Sequence, residues 1–169
     1  MKITKEKFLE IFDEHFNKVD EELNAILKGH LLIERALNQI IEDFVFHSDK
    51  LIEADLSFFK KVHVARSMSL DQSDNSMWAL ILSFNSLRND FVHELSSSKR
   101  QARIEKVKTL YVLEMKGDDF EKVWDSDPVL GIAYSTSLIV GFLITFHEEV
   151  LRFKSMVLEM DKLVNKRKD

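Results

Sequence analysis

The chain has 169 residues, of which 45% are apolar and 31% are charged, and this composition excludes an intrinsically disordered protein. It has no cysteine, which excludes disulfide bonds, thiolate nucleophiles and cysteine-based zinc sites. The formal net charge of −5 excludes a surface that is basic throughout, although a local basic groove for nucleic acid is still compatible with it.

The sequence carries no strong signal for secretion or membrane insertion. Its first five residues, MKITK, are not followed by an apolar signal segment. The longest apolar run, Leu138 to Phe146, is interrupted by Gly141 and Thr145 and is much shorter than the roughly 20 residues of a membrane span. We therefore expect a cytoplasmic protein without membrane contacts, in which this run belongs to a buried helix.

Helical spacing of apolar residues dominates the chain. With four glycines and one proline, few tight turns are available, and long helices are favoured. Residues 4–16 predict a short amphipathic helix, and a longer helix is predicted from about Val19 to Phe46. The further predicted helices cover residues 55–70, 77–95, 99–116 and 128–165, with a polar loop at 71–76, a stop at 96–98 and a turn at 117–119.

The clearest helix start is Asp127 followed by Pro128, because proline at the first helical position loses no needed hydrogen bond. No alternating strand pattern or internal repeat accompanies these helices. The sequence thus predicts an all-α fold, with residues 1–169 forming one domain built as a bundle of five or six helices. Trp78 and Trp124 are interpreted as packing or interface residues.

Two polar residues fall within the apolar stripe of the long second helix. At 100° per residue, His30 and Glu34 point with the apolar side chains rather than toward solvent. A carboxylate aimed at a core requires a partner, and Arg88 is our candidate; a buried hydroxyl or backbone group is the alternative. His30 is interpreted as a core histidine with a hydrogen-bond partner rather than as a ligand.

The stretch from Arg88 to His93 concentrates the possible chemistry of the chain. It lies at the end of an apolar helical run and reads Arg-Asn-Asp-Phe-Val-His. Arg88 and His93 are five residues apart, which places them about 140° from each other on a regular helix. They could converge on one phosphate if the helix loosens near His93, or if two copies of the chain share one cleft. The spacing therefore suggests a homodimer.

This stretch resembles the signature of the HEPN superfamily (higher eukaryotes and prokaryotes nucleotide-binding domains): an arginine, usually a polar residue next, and a histidine after four to six intervening positions. Asn89 fits the polar position. The predicted long helices are similar to the four or five helices of that fold. The resemblance implies a HEPN-like dimer that cleaves RNA without a metal, as in toxins, phage-defence factors and RNA-processing enzymes.

The resemblance also implies roles for individual residues. His93 would act as general acid or base, for which the ordinary histidine pKa of about 6.5 is suitable. Arg88 would neutralise the phosphate, and Asn89 would orient the histidine or a phosphate oxygen. Glu34 and His30 would support Arg88 from the neighbouring helix. No metal or other cofactor is implied, and the remaining histidines have no metal-ligand spacing.

A basic cluster follows the motif and offers a path for RNA. Lys99, Arg103 and Lys106 could guide the backbone of an RNA substrate electrostatically, or they could form an ordinary solvated helix face.

One departure and a second resemblance keep another function open. HEPN toxins that are paired with a nucleotidyltransferase antitoxin often carry a tyrosine two residues after the histidine, where Leu95 stands here. The second half of the chain also resembles the mannitol operon repressor family, whose members share an Arg-Asn…His stretch in an all-helical fold. The alternative is thus a non-catalytic helical regulator or interaction protein, with Arg88 and His93 in structural roles. An antitoxin or regulatory protein is a possible partner in either case.

Overall fold

The computed structural model describes residues 20–93, 97–116 and 118–165, and this part of the chain is all-helical, as the sequence predicts. Within these residues, the side chains of Ile52, His93, Ser97 and Asp118 are not described. The helix predicted for residues 4–16 lies outside the described residues. The helices are α1 (Glu21–Phe44), α2 (Ser48–Glu53), α3 (Phe58–Ser67), α4 (Met77–His93), α5 (Ser97–Met115), α6 (Asp118–Ser126) and α7 (Pro128–Val164).

The described residues form seven helices, so the prediction of five or six for the whole chain is too low. Two short helices, α2 and α6, account for the difference. The six residues of α2 are too few to show a helical period. The turn predicted at residues 117–119 is wrong in part, because α6 begins there at Asp118.

Side chains that cap the helices fix where they begin. The Asp20 carboxylate accepts a hydrogen bond from the Leu23 amide at 2.8 Å, and Ser57 caps α3. Asp127 caps α7 through the Leu130 amide at 3.1 Å, with Pro128 at the first helical position. These caps confirm the predicted start of α7 and place the start of α3 at Phe58, three residues later than predicted.

The core lies where α1, α4 and α7 meet. Gly29 of α1 lies against Thr136 of α7, and His147 of α7 is 2.9 Å from Asp43 of α1, so the two helices run in the same direction. Helix α4 runs against them: Trp78, near its start, packs edge-on against Phe142 and Phe146 of α7. The Arg88–His93 end of α4 is therefore at the end of the bundle where α1 begins. Trp78 and Trp124 are both buried, which confirms their packing role.

Helix α7 is longer than the bundle that it packs against. Its most apolar 18-residue window has a mean hydropathy of 2.0, and 39% of that window is buried. By length and composition alone the helix could cross a membrane, which is weak evidence, since core helices of soluble proteins pass the same test. The expected absence of membrane contact stays a prediction.

Candidate functional site

His30 is the centre of a polar layer between α1, α3 and α4. Its side chain is buried, with its Nε2 atom 3.1 Å from the Oδ1 atom of Asn85 on α4. The imidazole stacks on the ring of Phe58 from α3, with 4.3 Å between ring centroids. His30 is thus a core histidine with a polar partner, as interpreted from the sequence.

Burial lowers the pKa of His30 below its ordinary value, and the nearby cations Arg88 and Lys61 lower it further. The hydrogen bond with Asn85 and the negative charge of Glu34 act in the opposite direction. The folded protein therefore holds His30 neutral at neutral pH, with one ring nitrogen left to donate and one to accept.

This lowered pKa predicts a loss of stability at mildly acidic pH. The unfolded chain binds a proton at His30 more readily than the folded protein, so the free energy of unfolding is highest above the ordinary histidine pKa of about 6.5. It should fall as the pH drops from there toward the lowered pKa of the folded state. Urea unfolding at about pH 7.5 and pH 5.5 measures this.

The control for this measurement is a pair of glutamine variants. His30→Gln should reduce the pH dependence of stability between these two values, whereas His63→Gln, which replaces an exposed histidine on α3, should keep it. An equal pH dependence in His30→Gln and the wild type would contradict the assignment to His30.

Glu34 is paired with Lys61 of α3 rather than with Arg88. The Nζ atom of Lys61 donates to Oε1 of Glu34 at 2.7 Å, and Nδ1 of His30 is 4.0 Å from Oε2. The Glu34 side chain is also 29% exposed, so the carboxylate is not enclosed by the core as the helical wheel predicted. The prediction of a Glu34–Arg88 pair is wrong, because α3 packs across this face of α1 and supplies the nearer cation.

Arg88 and Asn89 contact each other on α4. The Nη1 atom of Arg88 donates to Oδ1 of Asn89 at 3.1 Å, and both residues are partly buried. Arg88 is also close enough to His30 to lower the pKa of that imidazole. The structure thus brings His30, Asn85, Arg88 and Asn89 together along one side of α4, with a guanidinium that still presents further donors.

We expect Arg88→Ala to change the free energy of unfolding by less than about 1 kcal/mol, because the Arg88 guanidinium contacts a neutral neighbouring amide. Lys61→Ala is the matched comparison. It should cost about 1–2 kcal/mol, since it leaves the half-buried Glu34 carboxylate without its cation. Denaturant titration of both variants gives the two values. A larger loss in Arg88→Ala than in Lys61→Ala would show that the Glu34–Lys61 pair contributes less than its geometry indicates.

His93 is the last helical residue of α4. Its side chain is not described, so the convergence of His93 and Arg88 on one phosphate stays a prediction.

The helix that follows, α5, packs back on this end of α4. Arg103 pairs with Asp90 at 2.6 Å, and Arg100 donates to the Phe91 carbonyl oxygen at 3.3 Å. Of the three predicted RNA-binding residues, Arg103 is therefore held by a carboxylate, whereas Lys99 and Lys106 are exposed. The basic charge that faces solvent here is smaller than the sequence suggests.

Sequence reasoning missed Asn85, Lys61 and Phe58 as members of this polar layer. Asn85 had a signal: it is one helical turn before Arg88 and Asn89 and lies in an otherwise apolar helix. Lys61 and Phe58 had none, since they come from α3, and only the packing of α3 on α1 brings them to His30 and Glu34.

Comparisons with known proteins give no relative for this chain. No protein family model matches it, and no curated protein or solved structure matches either. Among the described residues, no three histidine, aspartate or glutamate side chains come together as a metal site would require.

Proposed function

We propose that the chain is a metal-independent endoribonuclease of the HEPN type, which acts as a homodimer with Arg88 and His93 of two copies in one shared cleft. The observation that carries this proposal is the polar arrangement on α4. Arg88 is held against Asn89, one turn beyond the Asn85–His30 pair, and His93 ends the same helix. A helix that is otherwise apolar concentrates its polar side chains at one end, as a site for phosphate would require.

The proposed reaction is attack of a ribose 2′-hydroxyl on the adjacent phosphate. The proton leaves the 2′-oxygen for a basic histidine, a bond forms between that oxygen and phosphorus, and the bond to the 5′-oxygen breaks. The leaving 5′-oxygen takes a proton from an acidic histidine. Two copies of His93 across a two-fold axis would supply both roles, and the products are a 2′,3′-cyclic phosphate and a 5′-hydroxyl.

Arg88 is suited to neutralise the negative charge on the phosphate. Its guanidinium keeps its charge at any physiological pH, and a planar set of donors matches two phosphate oxygens at once. The contact with Asn89 limits the orientations of the guanidinium before substrate binds. On a regular helix, His93 is about 140° from Arg88, which is why the proposal requires the second copy.

The test is incubation of purified wild-type protein with end-labelled mixed RNA in the presence of EDTA. We expect cleavage with 2′,3′-cyclic phosphate and 5′-hydroxyl ends. Products with 3′-hydroxyl ends, or activity that returns only when a divalent cation is added, would refute this chemistry.

A second candidate function is a non-catalytic helical regulator or interaction protein, similar to the mannitol operon repressor family. The observation in its favour is that the charges near the motif are compensated within the chain: Arg103 pairs with Asp90, and Arg100 is 3.8 Å from Asp20. Such pairing is ordinary for a structural helix junction. Under this proposal the protein does not cleave RNA, and the Arg88–Asn89 hydrogen bond only stabilises the end of α4.

A further inference from the structure

The C-terminal part of α7 continues an apolar stripe beyond the bundle. The stripe has alternating steps of three and four residues, which is the heptad spacing of coiled coils. We refer to these residues as the α7 stripe. Its members are Leu143, Phe146, Val150, Phe153, Val157, Met160 and Val164.

The first half of the α7 stripe is buried, and the second half is exposed. Leu143, Phe146 and Val150 are at most 2% exposed, whereas Val157, Met160 and Val164 are 39%, 62% and 77% exposed. The same side of the helix that packs in the core thus continues for two further turns and more beyond the part of the bundle that the structure describes. A buried apolar stripe gains stability from each residue that it adds, and here that gain is missing.

Further apolar residues surround the exposed half of the stripe. Leu70, in the loop before α4, is 77% exposed, and Met156 and Leu163 are 60% and 78% exposed. Leu70 and Met156 line a groove of about 360 Å³ between this loop and α7. A single soluble protein rarely leaves so many neighbouring apolar side chains in water. The surface therefore fits a partner that is itself apolar and helical.

A lipid bilayer does not fit this surface. Charged side chains lie in the exposed segment on either side of residues 155–158, and each would cost about 2.5–3.5 kcal/mol at the centre of a membrane. They are Arg152, Lys154, Glu159, Asp161 and Lys162.

The end of the bundle where α1 begins is far from this surface. Glu21, the first residue of α1, lies beside Val129 of α7, and from there to Leu158 the helix rises about 43 Å.

We propose that the exposed half of the α7 stripe pairs with the same segment of a second copy, in an antiparallel arrangement. An identical helix has matching heptad spacing by necessity, and a two-fold axis joins one surface patch to itself. With the axis between Leu158 and Glu159, Val157 faces the partner's Met160, and Phe153 faces the partner's Val164.

Charge on the flank of the stripe supports the antiparallel direction. In this register Lys154 lies beside the partner's Asp161, and the symmetry provides this contact twice. The Lys154 ammonium is held at the flank by hydrogen bonds to the carbonyl oxygens of Asp43 and Val45, at 2.6 and 3.3 Å. On the other flank, Met156 approaches the partner's Leu163, so one side of the contact is apolar and the other is charged.

This contact is separate from the shared cleft of the proposed ribonuclease. Asn85 contacts His30, and the neighbouring Gly29 lies against Thr136, so Arg88 is near the Thr136 level of α7. Leu158 is about 33 Å further along α7. Pairing through the α7 stripe therefore keeps the two Arg88 side chains apart, and an assembly that uses both contacts contains four or more copies.

The first test is the molar mass of the full chain in solution by light scattering. The stripe variant Val157→Glu/Met160→Glu should have half the mass of the wild type, because both charges fall on the buried side of the contact. Leu31→Glu/Leu113→Glu is the matched control, since these side chains are 56% and 64% exposed elsewhere on the bundle. Its mass should equal that of the wild type.

The outcomes separate this proposal from the ribonuclease proposal. A wild-type monomer at high micromolar concentration, or a stripe variant that keeps the wild-type mass, overturns pairing through α7 whatever the RNA assay shows. A wild-type monomer that floats with anionic phospholipid vesicles overturns it as well, in favour of a membrane surface. Loss of RNA cleavage with the mass unchanged concerns the cleft alone.

The second test uses the absence of cysteine in the chain. Val157→Cys should form a disulfide-linked dimer under mild oxidation, since Val157 lies on the stripe and this register places its two copies about 4.5 Å apart along the helices. Val164→Cys should not, because the antiparallel register places the two copies of residue 164 about 16 Å apart along the helices. Cross-linking of Val164→Cys as readily as Val157→Cys would indicate a parallel pair, and cross-linking of neither would show that the stripe does not pair with a second copy; either result overturns the proposal.

Discussion

His93→Ala should lower the rate of RNA cleavage by about 10²–10⁴-fold, because proton transfer by a positioned side chain contributes that much to such a reaction. Alanine favours the helix in which His93 is the last residue, so the free energy of unfolding should stay within about 0.5 kcal/mol of the wild type. Single-turnover cleavage of labelled RNA in EDTA, with thermal unfolding of the same preparations, measures both quantities.

The control for this variant is His47→Ala, which removes an exposed histidine between α1 and α2. It should cleave RNA at the wild-type rate. Equal rates in His93→Ala and the wild type would show that His93 is not the proton-transfer group, or that the activity belongs to a contaminant.

The shared cleft adds a further expectation. After the subunits exchange, an equal mixture of wild type and His93→Ala should cleave RNA at about a quarter of the rate of the same total amount of wild-type protein, because only about a quarter of the dimers then hold two copies of His93. About half of the wild-type rate would show that each copy cleaves RNA alone.

The long helices were predictable from the sequence because each is fixed by signals within its own residues. The apolar period of α1 predicted its course to within two residues at each end, and Asp127 with Pro128 fixed the start of α7. Helix α6 was missed because Gly117 and two aspartates indicated a turn, although Phe120 and Trp124 then pack against Tyr111. That packing depends on residues from another helix, which no local pattern shows.

The candidate site was predictable only in part, for the same physical reason. Its members on α4 could be found because Arg88 and Asn89 are adjacent and polar in an apolar helix. The partner of Glu34 could not, since the choice between Arg88 and Lys61 depends on how α3 crosses α1. Burial of α7 was overestimated as well: apolar spacing predicts a buried stripe, but it does not show where the bundle ends and leaves that stripe exposed.

Gly29→Ala should lower the free energy of unfolding by about 1–3 kcal/mol, although alanine is the better helix former by about 1 kcal/mol. A Cβ atom at Gly29 would overlap Oγ1 of Thr136 on α7 and would lie 2.9 Å from the Phe84 ring on α4. Neither neighbour can move freely, because Thr136 donates to the Ile132 carbonyl oxygen at 2.9 Å and Phe84 is fully buried. Urea unfolding at neutral pH gives the difference as a shift in midpoint.

Gly141→Ala is the matched control, because it makes the same change at an exposed position of α7 with nothing within 4 Å of the new Cβ atom. It should raise stability by up to about 1 kcal/mol. Equal effects of the two substitutions would mean that α1, α4 and α7 are not as close at Gly29 as the structure has them.

The close approach also bears on the site, since Gly29 and Phe84 each directly precede a member of the His30–Asn85 pair. A shift of Phe84 should therefore weaken that hydrogen bond, and because the bond raises the pKa of His30, the acid sensitivity that His30 confers should increase.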